Sequence, residues 1–133
     1  MQRARSTAAQ RIGDDAEDLV AARLRAEGWT ILDRNVRVGR DELDIVAIDP
    51  GPPRALVVVE VRRRGRRDFG VAEETLDHRK RMTLRRGVGT LLERGSLGDG
   101  RLLPVLPLRV DLVAIDVGAD GRPSLRHHRA VGI

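Results

Sequence analysis

ALVVVEVRRRGRR (residues 55–67) is apolar at every position as far as Val59 and then turns ionic. A run with aliphatic residues on both faces of an extended chain is the pattern of a strand covered on both sides. Glu60 closes that run, and a carboxylate at the end of a buried strand is costly unless something pairs with it. Side chains alternate along a strand, so Arg62 shares the face of Glu60. Five arginines and one glycine then fill positions 62–67.

The preceding segment, ELDIVAID (42–49), is a second strand pattern, joined to the first through the turn-forming DPGPPR (49–54). The two read as an antiparallel hairpin. A turn centred near Pro52 sets Asp49 opposite Ala55 and therefore Asp44 opposite Glu60. Cross-strand Cβ atoms lie ~5 Å apart, and two carboxylates so placed repel by about 3 kcal/mol at an effective dielectric near 20. A fold tolerates this where a proton, a cationic side chain or a divalent metal sits between them, with Arg62 and Mg²⁺ as the candidates. The ordinary alternative is a salt bridge with the arginines on a solvated face. A slip of one residue would send the two acids to opposite faces.

Further elements follow outward from this hairpin. Residues 14–27 are helical in pattern, with Asp14 or Asp15 as N-cap and Gly28 as the stop. Their stripe runs Glu17, Val20, Ala21, Leu24, so an acid heads an apolar face. Residues 29–38 form a strand, 71–94 a helix weakened by Gly87 and Gly89, 107–116 a strand, and 124–131 a short last strand. The order α-β-β-β-α-β-β predicts an α/β fold, a mixed central sheet flanked by helices. Residues 1–12 read as a mobile basic arm and 13–133 as a single domain.

Composition bounds the function. The chain has 133 residues, no cysteine, and only Trp29 and Phe69 as aromatics. Thiolate metal sites and disulfides are excluded, in keeping with a reducing cytoplasm. Single-strand binding on aromatic platforms lacks the rings it needs. No apolar run reaches the length of a membrane span, and the N-terminus has no signal-peptide h-region. The formal net charge is +5, which favours a polyanionic partner. Lys80 is the sole lysine against 24 arginines, so a compositional bias toward arginine has to be discounted before any single one is given a role.

An acid, fifteen residues, then Glu60-Val61-Arg62 resembles the PD-(D/E)XK nuclease signature. Together with AED at 16–18, RN at 34–35, DELDIVA at 41–47, VVVEVRRR at 57–64, FG at 69–70, Lys80 and RVDLVAI at 109–115, the pattern resembles the YraN family. These are small bacterial proteins similar to archaeal Holliday junction resolvases. The resemblance implies a restriction-endonuclease-like fold and Mg²⁺- or Mn²⁺-dependent hydrolysis of branched or junction DNA, with RNA as the lesser candidate. It makes Asp44, Glu60 and the helix acid Glu17 the metal ligands, with Glu42 as the accompanying acid. It also implies a symmetric homodimer. Arg62 falls where the family carries its lysine, Ala16 where a glycine precedes the helix acid, and Asp41 where a glycine precedes Glu42. Arg can supply charge beside a phosphate, but it is longer, planar and never deprotonated.

Lys80 offers a replacement. It lies on a stripe with Leu76, Leu84, Val88 and Leu91, so it either snorkels from the stripe's edge or reaches the acids. Arg62, Arg63, Arg64, Arg66 and Arg67 read as phosphate contacts, with a solvated loop as the plain alternative. Arg109 and Asp111 share a strand face as a supporting ion pair. His127 and His128 are neighbours on a strand and point apart, so they do not share a metal. Two rival readings remain open from sequence: a nucleic-acid-binding module that keeps the scaffold without turnover, and a protein-interaction domain.

Overall fold

The computed structural model describes residues 8–64 and 76–133, with side chains from 15–63 and 76–133. Its elements are α1 (Ala8–Ala26), β1 (Thr30–Val38), β2 (Asp41–Asp49), β3 (Ala55–Arg64), α2 (His78–Arg94), β4 (Leu108–Val117) and β5 (Pro123–His128). The five strands form one sheet in the order β1-β2-β3-β4-β5. All neighbours are antiparallel except β3 and β4, which run parallel. A parallel pair needs a crossover, and the segment between β3 and β4 supplies it through α2.

Each helix covers one face. Val20, Ala21 and Leu24 of α1 pack with Ile45, Ala47, Val57, Val59, Val113 and Ile115. Leu84, Val88 and Leu91 of α2 pack with Val36, Val38, Leu43, Val46, Val58 and Leu112. Residues 55–60 are therefore buried without a break, as a doubly covered strand must be. The hairpin register has the expected phase, with Asp49 opposite Ala55 and Ile45 opposite Val59.

Two helix starts differ from the sequence expectation. α1 begins at Ala8, so the helix takes in residues 8–12, ahead of the expected start at 14. Ala8, Ala9, Gln10 and Arg11 are good helix formers, and the helix runs through Gly13, leaving Asp14 and Asp15 in its interior. Residues 1–7 lie outside the described residues. α2 begins at His78, not at 71: residues 76–77 are non-helical, and 71–75 lie outside the described residues. Asp77 caps it, extended at φ −66° and accepting from the Lys80 N–H at 2.8 Å.

The helix ends are closed as the glycines require. Gly28 has φ 90°, with its N–H donating to Arg25 O and the Trp29 N–H to Leu24 O, both at 3.0 Å. That is a Schellman closure with Trp29 packed back on the α1 face. Gly87, which weakens α2 as an isolated helix, permits its close approach to the sheet. A Cβ there would stand 3.2 Å from both Leu43 and Val38. Among the described residues no helix is long and apolar enough to cross a membrane.

Candidate active site

Past Ile45 and Val59 the β2–β3 ladder stops, although β2 continues along β1 and β3 continues along β4 as far as Arg64. The next residues on the two strands are Asp44 and Glu60. The Val61 N–H donates to Asp44 Oδ2 at 2.9 Å, so a side chain accepts the backbone bond at this point. Glu60 is 5% exposed. Lys80, on the first turn of α2, brings its Nζ to 2.8 Å from Glu60 Oε1. The sole lysine thus reaches the acids, and the Asp77 cap fixes the turn that carries it.

The electrostatics of this cluster are strained by proximity and burial. Burial, and then the Asp44 charge, push Glu60 up to about 7, with Lys80 opposing. Burial likewise raises Asp44, against the Val61 N–H, Glu60 and Lys80. For Lys80 burial acts downward, but Glu60 and Asp44 outweigh it and hold the ammonium above its ordinary value. Arg62, half-buried two residues beyond Glu60, opposes the protonation of Lys80 by its own charge. Two polar atoms here are buried without a hydrogen-bond partner among the described residues: Glu60 Oε2 and Arg62 Nη1.

Residues 16–115 match the model of the uncharacterised protein family UPF0102. The chain belongs to that family, the YraN family. It is 40% identical to a UPF0102 protein of Sorangium cellulosum over 114 residues, 86% of this chain and 75% of that one. It is 36% identical to a UPF0102 protein of Symbiobacterium thermophilum over 117 residues, 88% and 92% of the two chains. A UPF0102 protein of Pelobacter propionicus is 35% identical over 115 residues, 86% and 77%. The UPF0102 match spans α1 through β4 and so includes all the strands and helices that build the acid cluster.

A second acid pair of this UPF0102 chain stands beside the first. Asn35 occupies the β1 position between the Arg34↔Ile45 and Val36↔Leu43 pairs, across from Asp44. Three carboxylate oxygens surround its amide, which accordingly presents its nitrogen: 3.0 and 3.1 Å to Glu17 Oε1 and Oε2, and 3.0 Å to Glu42 Oε1. Glu17 from α1 and Glu42 from β2 are joined by Asn35, whereas Asp44 and Glu60 are joined through Val61 and Lys80. Among the described residues, no three His, Asp or Glu side chains converge as a metal cluster.

The other expected positions divide. Arg63 is exposed at the end of β3. The Arg64 side chain, Arg66 and Arg67 lie outside the described residues. Arg109 and Asp111 form the expected ion pair, Nε to Oδ1 at 2.8 Å, but within a larger group. Asp111, fully buried, also accepts from His127 Nε2 at 2.8 Å and from the Ala130 N–H at 3.0 Å. Arg109 Nη2 bridges on to Asp49 at 2.8 Å and stacks over Trp29 with 5.7 Å to the ring centroid. This network packs against Trp29, which belongs to the core under α1. His127 serves it, and His78 is exposed on α2. Asp41, which stands in a glycine position of the family pattern, holds Arg86 through two 2.7 Å bonds.

Oxygen donors that are buried, crowded and partly unsatisfied suit a hard divalent cation, so Asp44 and Glu60 fit Mg²⁺ or Mn²⁺. One consequence is measurable without any cation. The ordinary value for Glu60 is 4.5 and its folded value is about 7, so between them the folded chain binds the extra proton. Stability is therefore present below the lower value and lost as pH rises through the upper one, by at most about 3 kcal/mol. In EDTA, Glu60→Gln should gain melting temperature over wild type on going from about pH 5 to about pH 8. A difference that does not change with pH would contradict this picture of Glu60.

Proposed function

We propose that the protein is a metal-dependent phosphodiester hydrolase of structured DNA, built on a restriction-endonuclease-like scaffold, and that it works as a dimer on branched or junction substrates. The observation that carries this reading is the Asp44–Glu60 pair, two crowded acids where two strands part, with the Lys80 ammonium 2.8 Å from one of them. Asp44 and Glu60 would hold the cation, with Glu17 and Glu42 next to them. Bound there, Mg²⁺ or Mn²⁺ would supply a water of lowered pKa and charge stabilisation at the phosphate.

The chain's own groups do the rest. The Glu60 carboxyl is held up at about 7, and a cation beside it would favour the deprotonated form, so cation binding and deprotonation are coupled. Lys80 stands where it can offset negative charge developing on a phosphate, the task assigned in related nucleases to the lysine that Arg62 replaces. Arg62 brings a second, fixed charge with an unused donor. Arg63 extends this positive edge towards solvent, where a phosphate backbone approaches.

Calorimetric titration of Mn²⁺ tests the donor set. Wild type should bind with proton release that grows as pH falls toward the Glu60 value, and Glu60→Gln should lose at least tenfold in affinity. Equal isotherms for the two proteins would remove the metal site from the account. The alternative of a non-catalytic binding module has one observation in its favour, Arg62 at the position where the family pattern carries lysine. It predicts nucleic-acid binding with a steep salt dependence and no product.

A further inference from the structure

Not all the cations of α2 are engaged within the protein. Lys80 is paired with Glu60 and Arg86 with Asp41, and Arg94 donates to the Ser96 and Arg37 carbonyl oxygens. Arg79, Arg81 and Arg85 have no ion-pair partner among the described residues, and all three are exposed. Spacings of three and four put His78, Arg81 and Arg85 on one flank of the helix. With Met82 and Ile133 they line a groove of about 230 Å³. A solvated face is the ordinary fate of such residues, but His78 and Arg81 stand within one turn of α2 from Lys80, which pairs with Glu60.

We infer that the His78–Arg81–Arg85 flank of α2 is the surface that grips the phosphate backbone of a double-stranded nucleic acid and leads it to the Asp44–Glu60 cluster. This rests on the proposed function and adds to it the element that holds the substrate. From Arg81 to Arg85 the helix rises about 6 Å, close to two steps of about 3.4 Å axial rise along one strand. Trp29 is 5% exposed, so among the described residues no Trp, Tyr or Phe ring is presented for stacking on unpaired bases. That favours a duplex over a single strand. A lipid surface fits less well, because a membrane-bound helix inserts its apolar face. The apolar stripe of α2, Leu84, Val88 and Leu91, is already spent on the sheet.

The test is binding of a short labelled duplex in EDTA, where turnover plays no part, with anionic phosphatidylserine vesicles as a parallel probe. Arg81→Glu/Arg85→Glu should weaken duplex binding at least tenfold at low salt. It should also flatten the plot of log affinity against log salt by about 1.8, the share of two phosphate contacts. Arg54→Glu, exposed on the β2–β3 turn at the other end of the strands from Asp44 and Glu60, should bind as wild type does. Circular dichroism melts should show the double variant folded, since both side chains are exposed. A double variant that keeps the wild-type affinity and salt slope overturns this inference alone. Wild type that binds vesicles but not duplex, or binds no nucleic acid at all, overturns it together with the functional reading.

Discussion

Replacing Asp111 by alanine is expected to cost about 3 kcal/mol of stability and lower the melting temperature by about 10 °C. Asp111 is fully buried and accepts from Arg109, His127 and the Ala130 N–H. Without it, Arg109 keeps its charge in a site where only Asp49 remains as a partner, and two further donors lose their acceptor. The Arg109 side chain is 21% exposed, which lets water soften the loss and places the estimate at the lower end for a broken buried pair. Burial acts to raise the Asp111 carboxyl, but the His127, Arg109 and Ala130 bonds outweigh it and hold it at about 2. Its contribution is therefore complete above the ordinary 3.8 and fades only as pH falls towards 2. Denaturant melts of wild type and Asp111→Ala should stay separated from neutral pH down to about pH 4 and converge only below it. Coincident melts at neutral pH would mean that the network contributes nothing to folding.

The second large effect concerns turnover. Lys80→Met should reduce cleavage about 100-fold or more, the scale seen when one preorganised charge donor is removed from a reacting centre. Affinity for duplex in EDTA should change little, because Lys80 is turned to Glu60 and away from the flank that carries Arg81 and Arg85. There is also a pH signature. Lys80 holds the Glu60 carboxyl down, so its removal should move the acidic limb of the rate profile to higher pH. Loss of rate in Arg62→Ala with none in Lys80→Met would assign the role to Arg62 instead.

Much of this arrangement is legible in the sequence, for reasons that differ by element. The run at 55–59 has the pattern of a doubly covered strand, and a turn centred near Pro52 gives the hairpin phase that the structure adopts, with Asp49 opposite Ala55. Lys80 is legible because it interrupts an apolar helical stripe. The start of α2 is not read from periodicity, since the Leu76–Leu84 spacing continues the stripe backwards past a cap that only Asp77 and its hydrogen bond define. Nor is the Asn35 bridge: its residue is quoted in the family pattern, but a left-handed φ of 51° in the middle of a strand has no local signal. Asp49 is the clearest omission. It reads as the first residue of a turn, yet it is 3% exposed and holds Arg109, a partner 60 positions away. Such long-range pairings are set by packing of β4 and β5 against Trp29, not by any neighbouring residue.

The family match and the acid geometry bear on different questions. UPF0102 membership fixes what the chain is related to, over nearly all of its described elements. What the chain does has to come from the acids, because a scaffold hosts many activities and only the site carries chemistry. The arginine at position 62 is less decisive than it looks in sequence, since a lysine from another element stands at the same carboxylate.

The most direct measurement is cleavage of a labelled four-way DNA junction by wild type and Asp44→Asn in Mg²⁺ or Mn²⁺, with EDTA as control. Asp44→Asn retains the Val61 hydrogen bond through its side-chain oxygen and so should stay folded, as a melt will show. The account predicts nicked product from wild type only when the cation is present, and a loss of at least a hundredfold in Asp44→Asn. Product that persists in EDTA, or that Asp44→Asn forms at the wild-type rate, would contradict it.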